Sequence, residues 1–152
     1  MTKYEFVKRF LPEAEAAEKR FRINPVIMLA QAAIESGWGE SDLAKQHRNL
    51  FGITGYGPSN EFWHGYQVIL SEGGLPFRKY ADTQSSFFDY ARLIATAYPV
   101  AAAASYYPAA FAREIAYSKY ISEVNGDNRA VYCRLLDNLS SAIGKLIKTP
   151  VC

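Results

Sequence analysis

The chain has 152 residues, 49% of them apolar and 21% charged, with a net charge of +2. That length suits one domain spanning 1–152 with its own core, and 17 basic and 15 acidic residues spread evenly leave no basic arm or stripe for nucleic acid. Two isolated histidines and two distant cysteines supply no metal-ligand cluster, so neither a metal nor another cofactor is expected; a Cys133–Cys152 disulfide and two unpaired thiols both stay open.

The first stretch, Lys3 to about Phe21, has helical spacing, with Phe6, Phe10, Ala14, Ala17 and Phe21 along one side. Pro12 is expected to mark a kink or a restart within it. Charges run through this N-terminus, so it lacks the apolar core of a secretory signal. The expectation is synthesis in the cytoplasm and delivery by a non-classical route, or a piece of a longer protein.

Residues Pro25 to Gly39, PVIMLAQAAIESGWG, read as one helix. Asn24 supplies the cap, Pro25 has the φ of a first turn, and Gly37 and Gly39 provide the exit. The helix is apolar on all sides, the pattern of a buried core helix, and only Gln31 and Glu35 break it. Four residues apart, they share a face with Met28 and Ala32. A carboxyl in such surroundings is hard to ionise, and its raised pKa is what a general acid near neutral pH requires. The alternative is that Glu35 escapes into water at a frayed helix end.

A short helical turn is expected from Glu40 to Gln46, started by Ser41 or Asp42, and then a loop rich in Gly, Pro, Ser and Asn from Thr54 to Asn60. Phe62 to Ser71 and Leu75 to Tyr80 are rich in aromatic and β-branched residues around Glu72-Gly73-Gly74, which predicts a β-hairpin with Glu72 at its turn. Asp82 to Ser86 caps a helix that ends near Pro99. Another is expected from Pro108 to about Tyr120, and a last one after Asp127 or Asn128. Leu93 to Ala112 has no charge but for its prolines and polar residues reads as two soluble helices, so no integral membrane segment is expected. The fold class is α+β, mainly α: a helical body and a small β-hairpin lobe flanking a cleft. Glu35 and Glu72 would face each other across it, the paired-carboxylate arrangement that cleaves glycosidic bonds.

Ala30 to Gly39 (AQAAIESGWG), Asn49 to Ile53 (NLFGI), Phe77 to Tyr80 (FRKY) and Ser86 to Tyr90 (SFFDY) together resemble the bacterial endo-β-N-acetylglucosaminidases of flagellar rod-associated hydrolases and Gram-positive autolysins, in the family's order and over nearly the whole chain. The resemblance implies a lysozyme-like fold and hydrolysis of the β-1,4 bond after N-acetylglucosamine in peptidoglycan. It matches Glu35 to the family's catalytic acid and Glu72 to its second carboxylate, although Ser71 stands where the family has Thr. Tyr120-Ile121-Ser122-Glu123 is similar to the family's Tyr-Ala-Thr-Asp segment, with Asn125-Gly126-Asp127 in place of its proline turn. That makes Tyr120 the candidate for the tyrosine at the reacting sugar, with Tyr117 its rival.

Trp38 and Phe51 suit a sugar-stacking wall or ordinary packing, and Asn49 a substrate contact or the bracing of its loop. Asp82 and Glu61 read as capping or solvated acids. Peptidoglycan glycan strands are the implied partner, with an immunity protein or delivery machinery if the chain is exported by contact-dependent secretion, or release by phage lysis. A muramidase, a lytic transglycosylase and an inactive wall-binding module are the competing functions.

Overall fold

The computed structural model describes residues 1–121 and 127–148. The helix α1, Lys3–Phe21, is opened by a capping box in which Thr2 and Glu5 satisfy each other's backbone amides. Pro12 is carried inside this continuous helix, so of the kink or restart expected from the sequence the restart does not occur. A left-handed Arg22 ends it, and Asn24 then caps α2, Pro25–Ser36. The Asn24 side chain accepts from the Val26 amide at 3.0 Å and donates to the Ser105 carbonyl at 3.0 Å, so the cap also ties α2 to the far side of the body.

Helix α2 is the centre of the molecule. Ile27, Met28, Leu29, Ala30, Ala32 and Ala33 are all buried, which is why the sequence is apolar all round. Around it stand α1, α4 (Thr83–Ala97) and α7 (Asp127–Lys148), with the short α3 (Asp42–His47), α5 (Pro99–Ala103) and α6 (Pro108–Ala116) completing the body. Ser41 and Asp82 cap α3 and α4, each accepting a backbone amide three residues on. Helix α6 stops at Ala116, short of the Tyr120 end expected from its pattern. Among the described residues no helix is long and apolar enough to cross a membrane.

The β lobe is smaller than its composition suggests. Strands β1 (Gln67–Ile69) and β2 (Pro76–Arg78) pair antiparallel, Val68 opposite Phe77. The aromatic run before β1 is taken up by a turn in which the Asn60 side chain accepts from the Phe62 and Trp63 amides. On the other edge of β2, a bridge between Thr54 and Phe77 ties in the 51–55 loop. The lobe is thus fastened to the segment that runs directly beneath Glu35.

Candidate active site

The ESGWG segment is mostly a helix ending. Gly37 and Trp38 both take left-handed φ near 57°, and the Ser36 hydroxyl donates to the Ala32 carbonyl and accepts from the Gly39 amide at 2.8 Å. This closure leaves Glu35, in the final turn, directed into an open cavity of about 540 Å³. Glu35, Phe51, Gly52, Arg78, Tyr120 and Tyr132 line it, together with Thr54, Tyr56, Tyr98 and Lys119.

Each oxygen of the carboxyl has a different neighbour. Oε1 accepts a hydrogen bond from the Tyr132 hydroxyl of α7 at 3.0 Å. Oε2 lies beside Gly52, 3.6 Å from where a Cβ would stand, an ordinary contact distance; it is the left-handed φ of +65° that calls for glycine there. Burial pushes the Glu35 pKa above 4.5, and the Tyr132 hydrogen bond only partly opposes that rise. The frayed-end alternative is overturned: the group is held, largely desolvated, and at the wall of a cavity.

Tyr120 lines the same cavity. Its ring packs edge-on to Tyr90 and Tyr98, and its buried hydroxyl has no hydrogen-bond partner among the described residues. Burial, and then neighbouring phenols and Glu35, raise its pKa well above the phenolic range, so it stays a neutral donor. Arg129 of α7 donates to the carbonyls of Ala116 and Ser118, which fixes the turn that presents Tyr120. The rest of the segment similar to the family's tyrosine motif, Ser122 to Gly126, lies outside the described residues, as does Cys152 and with it the question of its pairing with Cys133.

The other candidates are distributed as follows. Glu72 stands exposed at the hairpin tip and is absent from the cavity wall. Among the described residues lining the cavity, Glu35 is the one carboxylic acid. Phe51 lines the cavity while stacking on Tyr90 at 4.1 Å, serving wall and core together. Trp38 packs edge-to-face on Phe6 at 5.4 Å with Lys3 over its ring, outside the cavity wall. Tyr117 is exposed at the end of α6. Asn49 is buried and its amide is fully used: it donates to the carbonyls of Ile53 and Arg78 at 3.0 Å and accepts from the Phe51 and Ile53 amides. Asn49 therefore braces the loop beneath Glu35. Asp82 caps α4, and Glu61 pairs with Arg20 at the surface.

Residues 11–140 match a family model described as mannosyl-glycoprotein endo-beta-N-acetylglucosaminidase. The chain belongs to this glucosaminidase family. It is 32% identical over 102 residues to the peptidoglycan hydrolase FlgJ of Vibrio parahaemolyticus, covering 59% of this chain and 32% of that protein. The chain spans a third or less of the length of the first curated relatives it matches. Its fold is similar to the catalytic domain of the autolysin Auto from Listeria monocytogenes (TM-score 0.71, 23% identity, 95% of this chain and 86% of that one). It is equally similar to a chain of a type VI secretion system effector-immunity complex from Pseudomonas protegens (TM-score 0.71, 19% identity, 96% and 94%). The fold class is that of glucosaminidase and lysozyme-like domains, as expected from the sequence.

Two parts of this candidate site were not singled out by sequence. Tyr132 falls four residues before the core residue Leu136, so a polar-tipped aromatic on the buried stripe of α7 was its available signal. Arg78 and Asp89 sit inside the FRKY and SFFDY segments. Arg78, only 6% exposed, donates to Asp89 at 2.8 Å and to the carbonyls of Thr54 and Tyr56, and lies over the Trp63 ring at 4.0 Å. Asp89 also accepts from Tyr80, Asn60 and Arg92. Burial alone would raise the Asp89 pKa, but Tyr80, Arg78 and Arg92 outweigh it and hold it low. This network joins the β lobe to α4 and sets one wall of the cavity. No group of three His, Cys, Asp or Glu among the described residues is placed to hold a metal ion.

Proposed function

We propose that the chain is a peptidoglycan hydrolase that cleaves the β-1,4 bond on the reducing side of N-acetylglucosamine, with Glu35 as its general acid. The observation that carries this reading is the Glu35 carboxyl, made harder to ionise by burial and lining an open cavity. Family membership supplies the bond type, and the similarity to FlgJ supplies the wall polymer as substrate.

The second group follows from what lines the cavity. With Glu35 its one described acid and Glu72 exposed at the hairpin tip, the substrate's own N-acetyl group is the proposed nucleophile. Glu35 donates its proton to the glycosidic oxygen as the C1–O bond breaks, and the acetamido oxygen closes on C1 to give an oxazolinium ion. Water then attacks C1, the ring opens, and the Glu35 carboxylate takes the water's proton. Two displacements give net retention. Tyr120, a neutral phenol that lines the cavity and whose buried hydroxyl is unpartnered among the described residues, is proposed to orient the acetamido group.

The proposed site of action is the cell wall or periplasm, reached by phage lysis, by contact-dependent secretion, or as part of a longer protein. The similarity to a chain of an effector-immunity complex supports contact-dependent secretion, with an immunity protein as partner. The test is Glu35→Gln on purified sacculi. Lysis is expected to fall about 10²- to 10⁴-fold while sedimentation with sacculi is retained. Undiminished lysis by the variant would remove Glu35 from the mechanism, and wild-type binding without lysis would favour the wall-binding module.

A further inference from the structure

A chain of hydrogen bonds runs back from Glu35 into the core. The Tyr132 hydroxyl that donates to Glu35 Oε1 at 3.0 Å accepts in turn from Gln31 Nε2 at 3.1 Å. Gln31 is fully buried one turn before Glu35 on α2, and its Oε1 accepts from the hydroxyl of Tyr90 on α4, itself fully buried. Among the described residues Tyr90 has no other acceptor for its proton.

The order of these links is set from the buried end. A phenol proton stranded in the core costs about 1–3 kcal/mol, so Tyr90 requires the Gln31 oxygen on its side. The Gln31 NH₂ must then face Tyr132. A hydroxyl that accepts from Gln31 turns its own proton towards Glu35, and Oε1 becomes an acceptor. The acidic proton is left to Oε2, the oxygen beside Gly52, and Glu35 and Gly52 both line the cavity.

We propose that Tyr90, Gln31 and Tyr132 form a one-way relay whose function is to place the catalytic proton of Glu35 on Oε2, facing the glycosidic oxygen. The inference rests on the reading of Glu35 as the general acid. Tyr132 and Gln31 are positioning residues, and Tyr90 is the remote group that gives the relay its direction. The relay also makes the acid reversible: once the proton has left, Tyr132 continues to donate to the carboxylate, which must later accept a proton from water. The groups facing Glu35 are Tyr132 from α7, Tyr90 from α4 and Tyr120 from the turn after α6. Across the cavity stand Arg78, engaged by Asp89, and Lys119. The phenols have raised pKa values and stay neutral, so they face Glu35 as uncharged hydroxyls.

The test uses the full chain carrying Tyr132→Phe or Tyr90→Phe, with folding checked by circular dichroism. The Glu35 carboxyl carbon is titrated by ¹³C NMR without substrate, and kcat/KM on glycan strands is measured against pH. Tyr132→Phe removes the donor that favours the carboxylate, so the Glu35 midpoint and the alkaline limb of kcat/KM should both move to higher pH, and kcat should fall about tenfold. Tyr90→Phe removes no hydrogen bond to Glu35 but frees Gln31 to turn its oxygen towards Tyr132. It should move the midpoint in the same direction, by less. A purely packing role for Tyr90 would leave that midpoint at its wild-type position, and such a result would overturn the relay. Because the NMR titration needs no turnover, a wild-type chain that cleaves no glycan would sink the proposed function while the relay is still decided.

Discussion

At the scale of single residues, the burial on which the proposed role of Glu35 as an acid rests also makes it a burden on the fold. Its carboxyl pKa is raised in the folded state, so the native chain retains a proton that the unfolded chain gives up. The stabilising contribution is complete below about pH 4.5 and is lost as pH rises through the folded value. Glu35→Gln, which keeps an acceptor for Tyr132, should therefore raise Tm near neutral pH, with the gain vanishing in acid; thermal melts of both proteins across pH check the sign. Asp89 works the other way, because its partners hold its pKa low and its contribution is lost as pH falls through that value. Asp89→Asn leaves the Arg78 guanidinium buried against a neutral amide and should cost about 3–5 kcal/mol in chemical denaturation. For Asn49→Ala, which strands the carbonyls and amides that its side chain serves, the expectation is a loss of about 3 kcal/mol.

Among the elements, α2 was the most legible from sequence, because its signals are local: an Asn-Pro start, an apolar run interrupted at Gln31 and Glu35, and a glycine stop all lie within fifteen residues. The hairpin was legible in kind but not in extent. Phe62 and Trp63 have strand composition, yet Asn60 draws their amides into a turn, a competition between side chain and ladder that composition does not reveal. Pro12 does not restart the helix, since burial of Phe6, Phe10, Ala14 and Ala17 on one side holds α1 continuous through it. Partners brought together from distant segments, Tyr132 with Glu35 and Arg78 with Asp89, were not legible, because no local pattern encodes separations set by packing. The hairpin carries its own prediction. If the acetamido group is the nucleophile, Glu72→Gln should keep kcat within about threefold of wild type, whereas loss of a general base would lower it about 10²- to 10⁴-fold.

For the whole molecule, a helical core fixes the acid and a small lobe, clamped by Arg78 and Asp89, closes one side of the cavity over it. The division of labour explains why the family motifs are mainly structural: AQAAIESGWG contributes one chemical group and a helix ending, and NLFGI a braced loop with a glycine under the carboxyl. Tyr120→Phe should lower kcat without moving the Glu35 titration, a separation that distinguishes substrate orientation from tuning of the acid. The central claim, cleavage on the reducing side of N-acetylglucosamine, is tested most directly by mass spectrometry of borohydride-reduced digests of purified peptidoglycan. Reduced N-acetylglucosamine at the new fragment ends is the predicted result; reduced muramic acid or anhydromuramic ends would contradict it.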